Sequence, residues 1–324
     1  MMHGYGRRGV VGRRFLLAAG LLAVTGAVTG SLAGATPPAQ AAPLAQAAPA
    51  AQAAPAQLVA ATAPKAPALP VPGAVDPGPP PSPMVGGADV SWAQCAPAQG
   101  GLGNPMPRPG AGFLVVGLSN GSAFTTNPCL ADEMAWARAH HVLLASYVFP
   151  TYPTNAEYAT YGGKGPYPTK TVQGRLMNVG WAQAAYWVRV KKAAGVVTPM
   201  VWIDVEQRAN LLRWTTRAAD RNLPVLKGLI AGLTKAGLRT GVYTPTAHWK
   251  DVMGSARLGL PEWRTVGVST AAAAFALCTA PAVQGGPVLL TQYYTNLPAD
   301  NYDYDVMCPL IRRGGRLTQY FVRA

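Results

Sequence analysis

Thr198-Pro199-Met200-Val201-Trp202-Ile203-Asp204-Val205-Glu206 is a short, largely apolar run that ends in two carboxylates. Side chains alternate along a strand, so Asp204 and Glu206 share a face, about 6–7 Å apart along the chain. The carboxyl end of a buried strand is where an α/β barrel carries its chemistry. Upstream, Gly86-Gly87-Ala88 leads in the same way into Asp89-Val90-Ser91-Trp92. Around these two runs, apolar and amphipathic stretches alternate. Strands are expected at Gly87–Val90, Phe113–Gly117, Val142–Val148, Met200–Asp204, Arg239–Tyr243, Thr265–Val268 and Val288–Tyr293. Helices are expected at Cys129–His140, Gly180–Ala194 and Pro224–Ala236. In the last of these Pro224 suits the first turn, Val225, Leu226, Leu229, Ile230 and Leu233 make one face, and Gly237 ends it. Strand and helix in repeated order imply a parallel sheet covered on its faces. After Tyr243 the helices shorten and the strands draw closer. The expectation is an α/β fold, an irregular TIM-like barrel in a single domain.

Composition divides the chain before that barrel begins. Arg7, Arg8, Arg13 and Arg14 precede an apolar run from Phe15 to about Ala35, which reads as an export signal over residues 1–35. Arg13-Arg14-Phe15-Leu16-Leu17 carries part of a twin-arginine pattern. The small residues of Leu32-Ala33-Gly34-Ala35 and Ala39-Gln40-Ala41 offer cleavage sites, and an uncleaved run would be a membrane anchor. Residues 36–84 form an Ala/Pro-rich spacer in which Gln40, Gln46 and Gln52 recur every six residues, as do Pro43, Pro49 and Pro55. Such a segment has little to bury and stays extended. Residues 85–324 remain for one substantial core.

All four cysteines, Cys95, Cys129, Cys278 and Cys308, lie in that last part. An even count behind an export signal implies two disulfides in an oxidising compartment. Cys95 and Cys129 follow the first and second expected strands, which neighbour each other in a parallel barrel. The expected pairs are therefore Cys95 with Cys129 and Cys278 with Cys308, each worth about 3–4 kcal/mol. No C-x-x-C pair or H-E-x-x-H helix supports a zinc site, and neither metal nor cofactor is expected. The formal charge is +14, of which +10 falls outside the signal and spacer. Such a surface suits anionic polymers. No nucleic-acid motif accompanies it, and export favours cell-wall glycans as partner.

Further residues carry a family resemblance over most of residues 85–324. Gly87-Ala88-Asp89-Val90-Ser91-Trp92, Ser146-Tyr147-Val148-Phe149, the helix segment Ala182-Gln183-Ala184-Ala185-Tyr186-Trp187, Ile203-Asp204-Val205-Glu206, Gly241-Val242-Tyr243-Thr244, Thr291-Gln292-Tyr293 and Tyr302-Asp303-Tyr304-Asp305 occur in that order. In order and spacing they resemble glycoside hydrolase family 25, the lysozyme-like muramidases. The resemblance implies five β/α units followed by three strands, (β/α)5β3, and a peptidoglycan-cleaving glycosidase. Departures are visible too. The family's Trp-x-Ala segment appears only as Glu262-Trp263-Arg264-Thr265, Ala271–Cys278 inserts a short helix-like piece, and Asp305 stands where the family usually has asparagine. The chain thus resembles a divergent member, and a non-catalytic wall-binding protein on the same barrel is the alternative.

Carried over by resemblance, Glu206 is the general acid that protonates the leaving oxygen. Asp204 orients the substrate's own 2-acetamido group, which attacks in place of an enzyme nucleophile, and its charge helps Glu206 keep its proton until needed. Asp89 and Asp303 line the same cleft. Tyr147, Tyr243, Tyr293 and Trp92 fall near strand ends, where aromatic faces can stack on sugar rings. Each assignment has a plainer counterpart. Asp204 and Glu206 can be a structural pair meeting Arg208, Asp89 a loop cap, and Asp303 part of a solvated turn with Asp300 and Asp305. The aromatic rings can be core.

Two competing motifs fail on spacing. Gly117-Leu118-Ser119-Asn120-Gly121 fits the nucleophile-elbow pattern, yet Thr125-Thr126-Asn127-Pro128 separates it from any helix. Gly162-Gly163-Lys164-Gly165 lacks the phosphate-loop spacing.

Overall fold

The structure, a computed structural model, describes residues 84–207, 214, 219–295 and 302–324. The expected export signal, the spacer up to residue 83, Arg208 and Asp300 lie outside the described residues. Among the described residues no helix is long and apolar enough to cross a membrane.

Eight strands close on themselves: β1 (Val85–Val90), β2 (Phe113–Gly117), β3 (Leu143–Val148), β4 (Met200–Asp204), β5 (Arg239–Tyr243), β6 (Glu262–Val268), β7 (Val288–Tyr294) and β8 (Asp303–Met307). Their order is β2-β1-β8-β7-β6-β5-β4-β3, and β2 also pairs with β3, which shuts the ring. Pairing is parallel from β1 through β7, whereas β8 runs antiparallel to both β7 and β1. A two-residue β9 (Val322–Arg323) adds to the start of β3. Helices α1 (Leu130–Ala139), α2 (Asn155–Tyr161), α3 (Val172–Ala193), α4 (Ala219–Lys235), α5 (Thr246–Met253), α6 (Ala271–Ala276) and α7 (Pro309–Arg312) occupy the connections after β2. Short 3₁₀ turns at Trp92–Gln94 and Pro97–Gln99 stand in for a helix between β1 and β2. The architecture is therefore an irregular, TIM-like α/β barrel, as expected.

Alternation along the strands sorts the core into two shells. Phe113, Val115, Ala145, Met200, Trp202, Leu290 and Met307 fill the barrel interior. Phe321 closes its amino-terminal end, with its ring edge-on to Phe113 at 5.3 Å. The other shell, including Leu114, Val116, Leu144, Val201, Ile203 and Val242, meets the helices. The tightest helix contact joins α3 and α4 through small residues. A Cβ on Gly180 would fall 1.9 Å from the Val225 carbonyl oxygen, and one on Gly228 2.0 Å from that of Met177.

Several boundaries differ from expectation, each for a physical reason. Helix α4 already runs at Ala219, so Pro224 sits in its second turn. There its missing N–H removes one bond near the helix start without ending the helix. Helix α2 carries its own signal: Thr154 Oγ1 accepts from the Glu157 amide while Glu157 Oε2 accepts from the Thr154 amide at 2.7 Å. Strand β6 starts at Glu262, three residues early, because two of its charged side chains pair with each other, buried on the outer face of the barrel. Arg264 Nη1 meets Glu262 Oε2 at 3.3 Å, and Glu262 also accepts from the Val283 and Gln284 amides.

Both expected disulfides form, Cys95–Cys129 and Cys278–Cys308. Beside the first, Glu133 is buried against Asn127, whose Nδ2 donates to Glu133 Oε2 at 2.7 Å and to the Gly117 carbonyl at 2.9 Å. Burial pushes the Glu133 carboxyl up to about 8, against the opposing pull of the Asn127 bond. A carboxyl that holds its proton better folded than unfolded stabilises fully at low pH. That stability is lost as pH rises from its unfolded value of 4.5 to about 8. At about 1.4 kcal/mol per pH unit, the loss reaches a few kcal/mol. Glu133→Gln keeps the Asn127 bond without a titrating group, so its melting temperature relative to the parent should climb steadily between pH 5 and about 8. Parallel melting curves for the two proteins across that range would refute the assignment.

Candidate active site

The cleft opens at the carboxyl ends of the parallel strands and encloses about 430 Å³. β1 delivers Asp89, and its antiparallel pairing with β8 sets Asp303 directly opposite. β4 delivers Asp204, whose partner in register is Tyr243 of β5. Opposite residues of paired strands project to the same face, so all four point into the mouth of the barrel. Beyond the strand end, the Val205 amide donates to the Tyr243 carbonyl at 2.9 Å and Thr244 Oγ1 donates to the Val205 carbonyl at 2.8 Å. These bonds carry the alternation one residue past β4 and hold Glu206 in place. Asp89, Asp204 and Glu206 are 8, 6 and 6% exposed. Charged groups at that burial are rare without a partner or a task.

The acids are held by a directed chain of hydrogen bonds. Tyr243 donates its hydroxyl to Gln292 Oε1 at 2.8 Å, which turns Gln292 Nε2 toward Asp89 Oδ2, also at 2.8 Å. Burial, then the charge of Asp303, pushes the Asp89 carboxyl well above the usual carboxylate range; the charge of Glu206 adds to this and the Gln292 bond opposes it. Burial likewise raises the Tyr243 hydroxyl, with Glu206 and then Asp204 as the next causes. The charge of Glu206 reaches both Tyr243 and Asp89.

Aromatic rings make the floor. Trp263 meets the edges of Tyr243 at 4.7 Å, Tyr147 at 6.0 Å and Trp202 at 6.0 Å. Tyr147 lines the cleft, its hydroxyl bonded to Ser91. A Cβ on Gly117 would fall 2.7 Å from Ser91 Cβ and 2.8 Å from Tyr147 Cζ, so this position needs glycine to let those two meet. That is the reason for the first glycine of the apparent nucleophile elbow. Ser119 is buried there and accepts from the Phe149 amide at 3.0 Å, with turns rather than a helix after it.

Of the aromatic residues expected at the site, Trp92, Tyr147 and Tyr243 line the cleft. Tyr293 does not: its ring stacks on Tyr304 at 5.1 Å, and Tyr294 takes the wall. Gln292 faces inward, so its neighbour in sequence must face outward. Reading the strand's parity from Gln292 would have chosen Tyr294. Sequence reasoning also passes over Gln292, Tyr302 and Trp263 as cleft residues. In the sequence, Trp263 stands out only as part of a departure from the family pattern.

Among the described residues no lysine, arginine or histidine lines the cleft. Among them, too, the one cluster with metal-ligand spacing is Cys95, Cys129 and Glu133. Its sulfurs are joined to each other and Glu133 is held by Asn127, so it belongs to the disulfide and not to a metal centre.

No family model matches the sequence, and no curated protein does. Solved structures do resemble it. A muramidase from Trichobolus zukalii is 15% identical, covering 72% of this chain and 99% of its own, at a TM-score of 0.48. A family 25 glycosyl hydrolase from Bacillus anthracis is 16% identical over 74% of this chain and 94% of its own, also at 0.48. A bacterial lysozyme from Streptomyces coelicolor is 16% identical over 69% and 91%, at 0.46. What the chain's own barrel adds is a carboxylate-ringed mouth over an aromatic floor.

Proposed function

We propose that this chain is an exported glycosidase of bacterial cell walls, cleaving peptidoglycan in the manner of an N-acetylmuramidase. The observation that carries this reading is the convergence of Asp89, Asp204 and Asp303 on one open cleft floored by aromatic rings, with Glu206 beside them. A saccharide fits that geometry. Its ring faces can stack on Trp92, Tyr147 or Tyr243, while its hydroxyl and amide groups meet carboxylates. Glu206 then gives a proton to the oxygen leaving C1. The carbonyl oxygen of the 2-acetamido group, oriented by Asp204, closes on C1 to form a cyclic cation. Water opens that ring and returns a proton to Glu206, so the acid is restored. Residues 1–35 serve as export signal, 36–84 as spacer and 85–324 as the catalytic barrel, with the net positive charge outside the cleft drawing the protein to anionic wall polymers.

The departure from the family pattern at Glu262-Trp263-Arg264-Thr265 and the long spacer favour one other reading, a wall-binding protein that has lost turnover. Incubating the full chain with insoluble bacterial walls separates the two. New reducing ends in the supernatant support the glycosidase. Cosedimentation with the walls and no release supports the binder.

A further inference from the structure

One buried carboxyl has no part in the scheme above. Asp305 lies in β8, opposite Gly87 on one side and Gln292 on the other. It is 1% exposed, the most deeply buried aspartate of the site. Trp263 Nε1 donates to its Oδ1 at 2.8 Å. No N–H or O–H donor among the described residues reaches its Oδ2. On the same inward face, diagonal to it across the β1–β8 ladder, lies Asp89, close enough for each carboxyl to perturb the other. Two carboxyl groups can bond to each other only through a proton.

The surroundings decide which of the two holds that proton. Asp89 Oδ2 already accepts a strong bond from Gln292 Nε2, which favours its charged form. Asp303 is only half-buried, so solvent reaches its charge. Asp305 has a single neutral donor and is sealed from solvent. The titratable groups facing the pair are Asp303 on the same strand, Asp204 at the end of β4, Glu206 just past it, and the hydroxyls of Tyr147 and Tyr243. None of them brings a positive charge. Burial, followed by the charge of Asp89, drives the Asp305 carboxyl well above the usual range.

We propose that Asp305 is a positioning residue, held as the neutral acid, whose O–H donates to Asp89 and fixes that carboxylate beneath the cleft. The bond adds to the one from Gln292, so Asp89 is gripped from β7 and β8 together. It also removes one negative charge from a mouth that already holds Asp89, Asp204, Asp303 and Glu206. This role rests on the glycosidase reading, whereas the protonation itself does not.

The test is therefore made on the proton. Full-length protein labelled with ¹³C at aspartate side-chain carboxyls is titrated by NMR, which keeps Glu133 out of the spectrum. At pH 7 the parent should show a protonated aspartate carboxyl that ionises only above neutrality. Asp305→Asn, whose amide supplies the same donor, should lose that signal and leave Asp89 ionised; Asp89→Asn, which removes the neighbouring charge but not the burial, should move its ionisation to lower pH, so one misfolded variant does not end the test. A parent spectrum with every aspartate ionised at pH 7, or a protonated signal surviving in a folded Asp305→Asn, would overturn the proposal. If walls are cleaved, Asp305→Asn should keep turnover and lose the alkaline fall of the parent's pH profile, while Asp305→Leu should lose turnover at every pH. Absence of cleavage would sink the glycosidase reading and leave the NMR result standing.

Discussion

Glu206→Gln should lower the release of reducing ends from bacterial walls by about 10²–10⁴-fold, the range a general acid supplies. The substituted amide would keep the shape of the side chain and can still donate and accept hydrogen bonds, but it has no proton to give to a leaving oxygen. Glu206 is held by backbone bonds of its neighbours, Val205 to Tyr243 and Thr244 to Val205, which the substitution leaves in place. The melting temperature and the fraction sedimenting with walls should therefore stay near those of the parent. Loss of release with folding and wall binding intact would mark a chemical role. Unchanged release would remove Glu206 from the mechanism, and loss of folding would make it a structural acid.

The largest expected effect on stability is at the α3–α4 contact. In Gly180→Leu the first added carbon already lands 1.9 Å from the Val225 carbonyl oxygen and 2.7 Å from the Leu229 amide nitrogen. Both are backbone atoms of α4, so no rotamer change relieves the overlap and the two helices must part. Overpacking of this kind costs about 3 kcal/mol or more. For a domain of this size that lowers the melting temperature by about 6–12 °C. Ala185→Leu, on the exposed side of the same helix, is the control and should move it little. Equal melting of the two variants would mean that α3 and α4 are not in such close contact.

The strands most legible in the sequence are those whose residues are apolar on both faces. β2 and β4 match their expected bounds to the residue, because a parallel strand between the barrel interior and a helix layer reads as a short apolar run. β8 is not legible as a strand. Its sequence Asp303-Tyr304-Asp305-Val306-Met307 puts two carboxylates on the inward face, which in sequence looks like a solvated turn. The chemistry of the site hides the element that carries it. β6 reads short for a related reason, since Glu262 and Arg264 neutralise each other only once folded.

The site follows the same logic. The parity of Asp204 and Glu206 is readable from one strand, whereas Asp89 and Asp303 enter the cleft in the sequence only through the family resemblance, and their pairing in register comes from the fold. The Gln292 bridge is not readable, because it joins Asp89 and Tyr243 across strands far apart in sequence. Neither is the diagonal approach of Asp305 to Asp89 across the β1–β8 ladder. Asp305 is visible only as an unexpected acid, and its environment, not its identity, makes it a donor.

The central claim is that this cleft cuts a glycosidic bond next to a 2-acetamido sugar. The most direct measurement is to digest purified bacterial walls with the full chain, reduce the products with borohydride, and identify the newly reduced sugar by mass spectrometry. The expected result is reduced N-acetylmuramic acid in the parent digest and none above background with Glu206→Gln. Reduced N-acetylglucosamine alone, or no newly reduced sugar from a folded parent bound to the walls, would contradict it.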